Sequence, residues 1–557
     1  MTLKSNQLTL DSVILRSLIF VTLTVTPFAT LEPFNLPKLF VLTICAFIIT
    51  GLLAANFKKV HLEIEWKVWV MIISFILTMF IASIFSPNSS ILNIYGTPGR
   101  NTGYLTYFCL VVLFLAAVFV SKTDFLMKFQ RSAHYIGGIL LLYGVFQSFK
   151  LDIFSYNNVY SSSVIGTFGN PNFMSAYMGI FGTMLFVFYF QNTTAKNKSF
   201  LIVVSFALTI YVITATKSIQ GFLTLLAGVG IATVFLLHGN GYRRISKVVF
   251  MAYALSATLL GAGLLSRGPF SDYLSGPTLV YRRVYWETAF RMMVDHPFFG
   301  VGLDNYGEWF RRSRSTDNVN NYGTLYADTA HNVFLDLGAG GGFFLLTVYV
   351  AINLFTIYRI FQNILTSPKI DKPFIAISSA WFAYTAQSLI SINQIGLAIW
   401  GWIFSGLVIG YKSERLNVRK KGDFLVKKKS LSMERISRKY QNTVLVPFIL
   451  IGLLVASPLF IASVKFRSAI VSGDAVRIQR AAELWPYDKS RFLQVTLILE
   501  SNNLPAQALN VSTRGIELFP DSFENWEQYS RLKYLSERQQ VYAKTQLKRL
   551  DPHNPSL

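Results

Sequence analysis

The chain has 557 residues and a formal net charge of +23, with 52% hydrophobic and 14% charged residues. Several apolar stretches reach the roughly 20 residues that a bilayer-crossing helix needs, so the composition is typical of a polytopic membrane protein. The positive charge lies mainly in short loops between these stretches, which argues against nucleic-acid binding and is explained by membrane topology. Cys45 and Cys109 both lie inside apolar stretches and predict neither a disulfide framework nor a zinc site.

In chain order, the apolar stretches predict an all-α fold with about 12 to 13 transmembrane helices. We expect these spans near 12–31, 36–56, 66–86, 104–121, 133–150, 173–190, 199–215, 219–237, 248–265, 332–358, 374–392, 395–411 and 443–464. Loops rich in Lys and Arg alternate with loops nearly free of Lys. The positive-inside rule therefore places the N-terminus in the cytoplasm and the C-terminal segment outside.

The same alternation predicts four parts of the chain. Transmembrane helices fill 1–265, a large extracytoplasmic loop follows at 266–331, and further transmembrane helices fill 332–464. These last helices include a basic cytoplasmic loop at 412–441, which could contact anionic lipid head groups but more simply sets the topology. Residues 465–557 have the composition of a soluble helical segment outside the membrane.

The C-terminal segment contains a repeated pattern. Trp485-Pro486, Phe519-Pro520 and Asp551-Pro552 recur at spacings of 34 and 32 residues, with Ala-rich amphipathic stretches between them. This period resembles the tetratricopeptide repeat, which presents a concave surface to protein partners. The alternative is a helical cap that packs on the membrane helices.

The 266–331 loop combines arginines with a histidine at its end. Its basic residues are all arginines: Arg267, Arg282, Arg283, Arg291, Arg311, Arg312 and Arg314. A guanidinium can bind phosphate oxygens in pairs, and a histidine such as His331 is the usual general base near neutral pH. Together they predict group transfer from a lipid-linked diphosphate donor. The alternative for each residue alone is a solvated position or a contact with lipid phosphates.

Three further loops face the same side in this topology. They contribute Arg100 from the turn at 95–103, Asn172 from the turn at 166–172 and Lys217 from the turn at 214–218. We expect Asn172 to cap the helix that follows it. Asn332 lies beside His331, and Asp336 and a run of glycines follow within three turns. Asp336 is a functional candidate, because an ionisable residue at membrane depth usually has a role in function. No outward loop carries the carboxylate pair of a divalent-metal site, so we expect no metal or other cofactor.

These motifs resemble the O-antigen ligase and O-antigen polymerase superfamily, whose shared core is the Wzy_C-type domain. The segments that carry the resemblance are GTFGNPN at 166–172, TKS at 216–218, RRVYW at 282–286, HPFFGVGLDNYG at 296–307 and HNVFLDLGAGGG at 331–342. His331 and Gly342 match the family's His-x10-Gly motif. Arg282 matches the Arg of its Arg-x3-Leu motif, with Trp286 in place of Leu, and Lys217 stands where the family usually has Arg.

The resemblance implies a GT-C-like glycosyltransferase in the bacterial cytoplasmic (inner) membrane. The donor would be a glycan on undecaprenyl diphosphate, and the acceptor a hydroxyl of a lipid, glycan or protein. The reaction would be inverting and metal-independent. His331 would act as the base and Arg282 would hold the diphosphate with help from Lys217. We add Arg283, Arg100, Asn172 and Asn332 as candidate residues for binding the diphosphate or substrate.

Ligase-type transfer is the interpretation we favour, and three alternatives stay open. A repeat-unit polymerase and a protein O-oligosaccharyltransferase would use the same donor. A multispan transporter is the alternative outside the enzymes. Against it, the predicted spans lack the paired mid-span acidic residues of proton-coupled carriers.

Overall fold

The structure is a computed structural model that describes residues 8–87, 90–154, 160, 162, 164–191, 196–272, 276–323, 325–367, 370–412 and 438–557. Most of the basic loop predicted at 412–441 lies outside these residues. The first helices are α1 (Leu10–Leu23), α2 (Asn35–Ala55), α3 (Phe57–Glu63), α4 (Trp66–Phe85), α5 (Ser90–Tyr95), α6 (Tyr104–Val120), α7 (Thr123–Ser148), α8 (Pro171–Gln191), α9 (Lys196–Ala215), α10 (Gln220–Gly239), α11 (Arg243–Leu264) and α12 (Pro277–Asp295). They are followed by α13 (Tyr306–Ser313), α14 (Thr316–Tyr322), α15 (Val333–Thr366), α16 (Lys372–Ser388), α17 (Ile395–Gly410), α18 (Arg438–Ser472), α19 (Ala475–Ala482), α20 (Lys489–Ser501), α21 (Pro505–Leu518), α22 (Phe523–Ser530) and α23 (Glu537–Leu550).

The protein is a polytopic, all-α membrane protein, and the described residues contain no β-strand. Every predicted span overlaps one of these helices. Within the described part of the chain, eight helices are long and apolar enough to cross a membrane: α2, α4, α8, α9, α10, α11, α15 and α18. Helices α6 and α17 are apolar but shorter, at 17 and 16 residues.

The first predicted span is shorter than expected, because α1 ends well before residue 31. Pro27 follows the end of α1, and a proline has no N–H to donate in a continuing helix. The fully buried Lys38 of α2 donates from Nζ to the carbonyl oxygens of Thr22 and Thr24, at 3.3 and 2.6 Å. These bonds satisfy carbonyl groups at the end of α1 that lack a helical partner.

Helix α15 is broken within its glycine run. Gly342 has φ +74° and ψ −175°, which is not helical and is accessible mainly to glycine. After the break, the N–H of Phe343 donates to the carbonyl of Pro297 at 2.9 Å. A break inside a membrane helix is tolerated only where other groups satisfy the freed backbone. Here the segment after α12 provides the partner.

The same segment also binds the carbonyl groups freed on the other side of the break. The N–H of Val301 donates to Ala339 O at 2.8 Å, and the N–H of Gly302 donates to Gly340 O at 3.0 Å. The 266–331 loop is therefore joined to α15 through backbone hydrogen bonds. The glycines permit this close approach, since a Cβ on Gly342 would lie 2.5 Å from Pro297 O.

We expect Gly300→Ala to destabilise this junction. Gly300 has φ +61°, and a Cβ there would lie 2.4 Å from Ala339 O. A residue forced into this conformation costs about 1–3 kcal/mol, before the steric clash is counted. Thermal unfolding of the purified protein should show a lower Tm. Gly138→Ala is the matched control, because no atom lies within 4 Å of its added Cβ. Equal Tm values for the two variants would contradict this account of the junction.

The C-terminal segment is helical from α18 to α23. Helix α18 packs along α2 and continues past the predicted end of the last span, so it joins the membrane helices directly to the C-terminal ones. Helices α19 to α23 pack on their neighbours in chain order. Phe466 of α18 belongs to the same core cluster as Phe492 and Phe519. The assignment of these helices to tetratricopeptide repeats stays a prediction.

The C-terminal helices pack on the 266–331 loop, so both lie on one side of the membrane helices. Arg312 pairs with Asp521 at 2.9 Å, and Arg314 pairs with Asp551 at 2.8 Å. The guanidinium of Arg311 lies 4.2 Å from the centre of the Phe523 ring. These three arginines of the loop therefore contact the C-terminal helices.

Breaking the Arg314–Asp551 pair should strongly destabilise the protein. Both side chains are buried, at 1% and 0% exposure, and two hydrogen bonds of 2.8 and 2.9 Å join them. Removing one partner of a buried pair typically costs about 3–5 kcal/mol. We expect Asp551→Asn to lower the Tm and to expose the C-terminal helices to protease. The control is Glu517→Gln, which breaks an exposed pair with Arg514. An unchanged Tm for Asp551→Asn would show that the pair does not hold the segment.

Candidate active site

His331 sits in a tight turn at the entrance to α15. Its φ is +49°, in the left-handed region that few residues other than glycine adopt. Its N–H donates to Thr329 Oγ1 at 3.0 Å, and the N–H of Ala330 donates to Asp336 Oδ1 at 2.7 Å. Asn332 then caps α15, because its Oδ1 accepts from the N–H of Phe334 at 3.0 Å and from that of the next residue. These bonds fix the backbone of the turn that carries the imidazole.

Helix α12 brings an aromatic ring and a guanidinium to this histidine. The ring of Tyr285 stacks on His331, with centroids 5.5 Å apart and an interplanar angle of 27°. The hydroxyl of Tyr306 donates to Tyr285 O at 2.7 Å, and the Phe310 ring packs edge-on against Tyr285. Arg282 lies on the same helix and is 9% exposed. The loop therefore forms a small packed core beneath the site.

The environment of His331 favours its neutral form. Burial is the main cause, and the positive charges of Arg282 and Arg100 add to it, so the pKa of His331 falls to about 4 against the opposing charge of Asp328. Burial also lowers the pKa of Arg282. Among the described residues, no carboxylate forms an ion pair with Arg282. A neutral imidazole can accept a proton, and an uncompensated guanidinium favours an anion beside it.

Arg100 reaches the site from the other side and is bound to acidic residues. Its guanidinium forms an ion pair with the buried carboxylate of Asp304 and donates to Asp328 O at 2.5 Å. The N–H groups of Thr97 and Thr102 also donate to Asp304 Oδ2, at 2.7 and 3.1 Å. Burial alone would lower the pKa of Arg100, but the charges of Asp304 and Asp328 raise it. Arg100 therefore fixes the loop as well as adding charge near His331.

Two predicted substrate-binding side chains make structural bonds. Arg283 Nε donates to Leu264 O at 2.9 Å, where the last carbonyls of α11 lack helical partners. Asn332 caps α15, as described above. Their contacts with substrate stay a prediction, and each contact would have to form alongside these bonds.

The two remaining predicted residues lie close together: Asn172 is at the start of α8, and Lys217 is in the turn between α9 and α10. Asn172 Oδ1 accepts a hydrogen bond from Ser218 Oγ at 2.7 Å, next to Lys217, which is exposed and has φ +57°. The expectation that Asn172 caps α8 is wrong. Asn170 does so, because its Oδ1 accepts from the N–H of Asn172 at 2.8 Å. The difference arises because α8 begins at Pro171, so Asn172 lies inside the first turn whereas Asn170 precedes it.

Tyr160 contacts Asn170, the residue that caps α8. Its hydroxyl accepts a hydrogen bond from Asn170 Nδ2 at 2.9 Å. Burial and the nearby charge of Asp328 raise its pKa. Sequence reasoning did not identify Tyr160, Tyr285, Asp304 or Asp328. Asp304 and Tyr285 lie within motifs that carried the resemblance, whereas nothing in the local sequence marks Tyr160.

Part of the chain matches the model of a known protein family. Residues 179–350 match the family model of the Wzy_C domain, described as O-Antigen ligase. No curated protein matches the chain. The matched residues cover less than a third of the chain and include Lys217, Arg282 and His331. They begin after the 166–172 turn, which is therefore outside the match. The membrane helices, the site and this match together support an enzyme of the O-antigen ligase and polymerase type.

Proposed function

We propose that this protein transfers a glycan from undecaprenyl diphosphate to an acceptor hydroxyl on the outer face of the bacterial cytoplasmic membrane. The observation that carries the proposal is a half-buried His331, held in its neutral form partly by the nearby charge of Arg282, which pairs with no carboxylate among the described residues. A base and an uncompensated cation at the mouth of a membrane helix suit a reaction in which a hydroxyl attacks and a diphosphate leaves.

In the proposed step, the acceptor oxygen forms a bond to the anomeric carbon as the bond from that carbon to the diphosphate oxygen breaks. His331 accepts the hydroxyl proton, and the electron pair of the broken bond stays on the diphosphate. Arg282 stabilises the charge that develops there, with Lys217 assisting. Attack from the opposite face would invert the anomeric centre. The bound diphosphate would also raise the pKa of His331 and so strengthen the base.

The pH dependence should reflect the lowered pKa of the half-buried His331. Because the pKa of His331 in the free enzyme is lowered to about 4, the imidazole is neutral throughout the neutral range. We expect kcat/KM not to fall through the usual histidine range near pH 6.5 and to decline only at more acidic pH. A pH profile of purified enzyme checks this. A fall in kcat/KM with an apparent pKa near 6.5 would contradict the assignment if it persisted in His331 variants and disappeared when another titrating residue was replaced.

The glycans of living cells test the reaction type. A strain that lacks this protein would be complemented with wild type or with His331→Ala. Its envelope glycans would then be resolved by size and by the molecule to which they are attached, either the carrier lipid or the final acceptor. Full-length glycan retained on the carrier lipid in the mutant would support ligase-type transfer. Single repeat units would indicate a polymerase, and loss of glycan from proteins alone would indicate a protein oligosaccharyltransferase. Unchanged glycans would favour a transporter.

A further inference from the structure

A cavity of about 390 Å³ lies between the membrane helices and the C-terminal helices, outside the site around His331. Its wall includes Glu32 before α2, Asn101 before α6, Phe466 of α18, and Arg491 and Gln494 of α20. Its volume is at the lower end of the range for small-ligand sites, roughly 300–1,000 Å³.

The cavity adjoins the His331 site through one turn. Pro98, Gly99 and Asn101 line the cavity, whereas Arg100, between them, points to Asp304 and Asp328 beside His331. A molecule held in the cavity would therefore contact the turn that carries a cation of the proposed site.

Two buried polar atoms of the cavity wall lack hydrogen-bond partners within the described part of the chain. Asn101 is 2% exposed, and its Oδ1 has no partner. Arg491 is 4% exposed, and its Nη1 has none, although its Nη2 donates to Pro486 O. An unsatisfied buried polar group is costly, and each one calls for an explanation. One acceptor and one donor lie beside the same cavity, and rotation of these side chains toward it would let a ligand with hydroxyl groups satisfy both.

The charges of the wall are compensated, which disfavours a phosphate. The Glu32 carboxylate accepts from three backbone N–H groups at the start of α2, at 2.6 to 3.0 Å. Asp488 lies 3.7 Å from Arg491 Nε and accepts from the N–H of Ser490 at 2.8 Å. The rest of the wall is mainly apolar, including Leu36 and Phe466. Amide and guanidinium groups beside apolar surface match the alternating hydroxyl and C–H faces of a sugar.

We propose that this cavity binds a neutral saccharide unit and holds a glycan chain beside the transfer site. The choice of a saccharide rests on the proposed function, whereas the cavity and its unsatisfied groups do not. The glycan could belong to the donor or to the acceptor. The C-terminal helices would then complete a substrate site in addition to fixing the loop.

The test is calorimetric binding to the full-length protein in lipid nanodiscs. One probe stands for the donor: the oligosaccharide released by mild acid from the lipid-linked fraction of a strain that lacks this protein. The other stands for the acceptor: the surface glycan of the same strain, to which no glycan has been transferred. Binding of the first probe alone assigns the cavity to the donor, and binding of the second alone assigns it to the acceptor.

Two variants and one control locate the binding. Gln494→Trp fills the mouth of the cavity and should abolish binding. Asn101→Gly removes the amide yet tolerates the positive φ of +57°, and should weaken binding about tenfold. The control is Leu497→Trp, an exposed position of α20 outside the cavity wall. It should bind as wild type does, and elution on gel filtration would confirm that each variant is folded.

The proposal is overturned if neither probe binds wild type, or if both folded cavity variants bind as tightly as the control. Binding is measured without transfer, so the result is independent of the proposed reaction. A protein that transfers glycan in cells but binds neither probe would remove only the cavity assignment. Conversely, full transfer by His331→Ala would contradict the proposed reaction while leaving measured binding intact.

Discussion

Glycan transfer is expected to slow by about 10²–10⁴-fold when His331 is replaced, because general base catalysis typically contributes that much. The measurement is the transfer rate of purified protein in nanodiscs with glycan-loaded undecaprenyl diphosphate. His331→Asn is the sharper variant. Asparagine tolerates the left-handed turn, at φ +49°, but cannot act as the base. His331→Ala tests the same role with some added backbone strain.

The control for this prediction is His553→Ala. His553 is exposed on the same side of the membrane helices, where its Nδ1 lies 3.2 Å from Thr316 Oγ1 in the loop. It should transfer glycan at the wild-type rate. Wild-type transfer by folded His331→Asn would show that another group removes the proton. Asp336, which accepts from the N–H of Ala330, would be the next residue to replace.

Arg282→Lys is expected to lower kcat markedly while leaving the protein folded. Lysine keeps the charge but lacks the planar fork that can contact two diphosphate oxygens. Removing the side chain in Arg282→Ala should cost about 10²–10³-fold, as for other groups that stabilise a leaving charge. The lysine variant should fall between alanine and wild type. Steady-state kinetics with the same donor would separate loss of kcat from a change in KM.

Arg291→Lys is the matched control, since Arg291 lies on the same helix, is exposed and pairs with Glu287 at 3.0 Å. Its kinetics should match those of wild type. If Arg282→Lys retained the wild-type kcat, paired contact with the diphosphate would be excluded. Equal losses in both variants would instead indicate a general effect on α12.

The positions of the membrane helices could be predicted from the sequence because hydropathy acts locally along the chain. Each predicted span overlaps an observed helix. Pro27 marks the end of α1 in the sequence, but the bonds from Lys38 of the next helix to the carbonyls at that end could not be predicted from it. The break in α15 was missed because its freed groups are satisfied by a segment some 40 residues earlier, at 297–302.

By itself, the sequence determined the fold class and pointed to His331 and Arg282 through motif spacing. Only the tertiary structure decided which arginines surround the histidine. Arg311, Arg312 and Arg314 bind the C-terminal helices, Arg283 binds the end of α11, and Arg100 pairs with Asp304, 204 residues away in the chain. Charge composition gives the number of cations, but the energy of a pair depends on distance and burial. Those are set by how distant segments pack, so the sequence could name the candidates but not assign their partners.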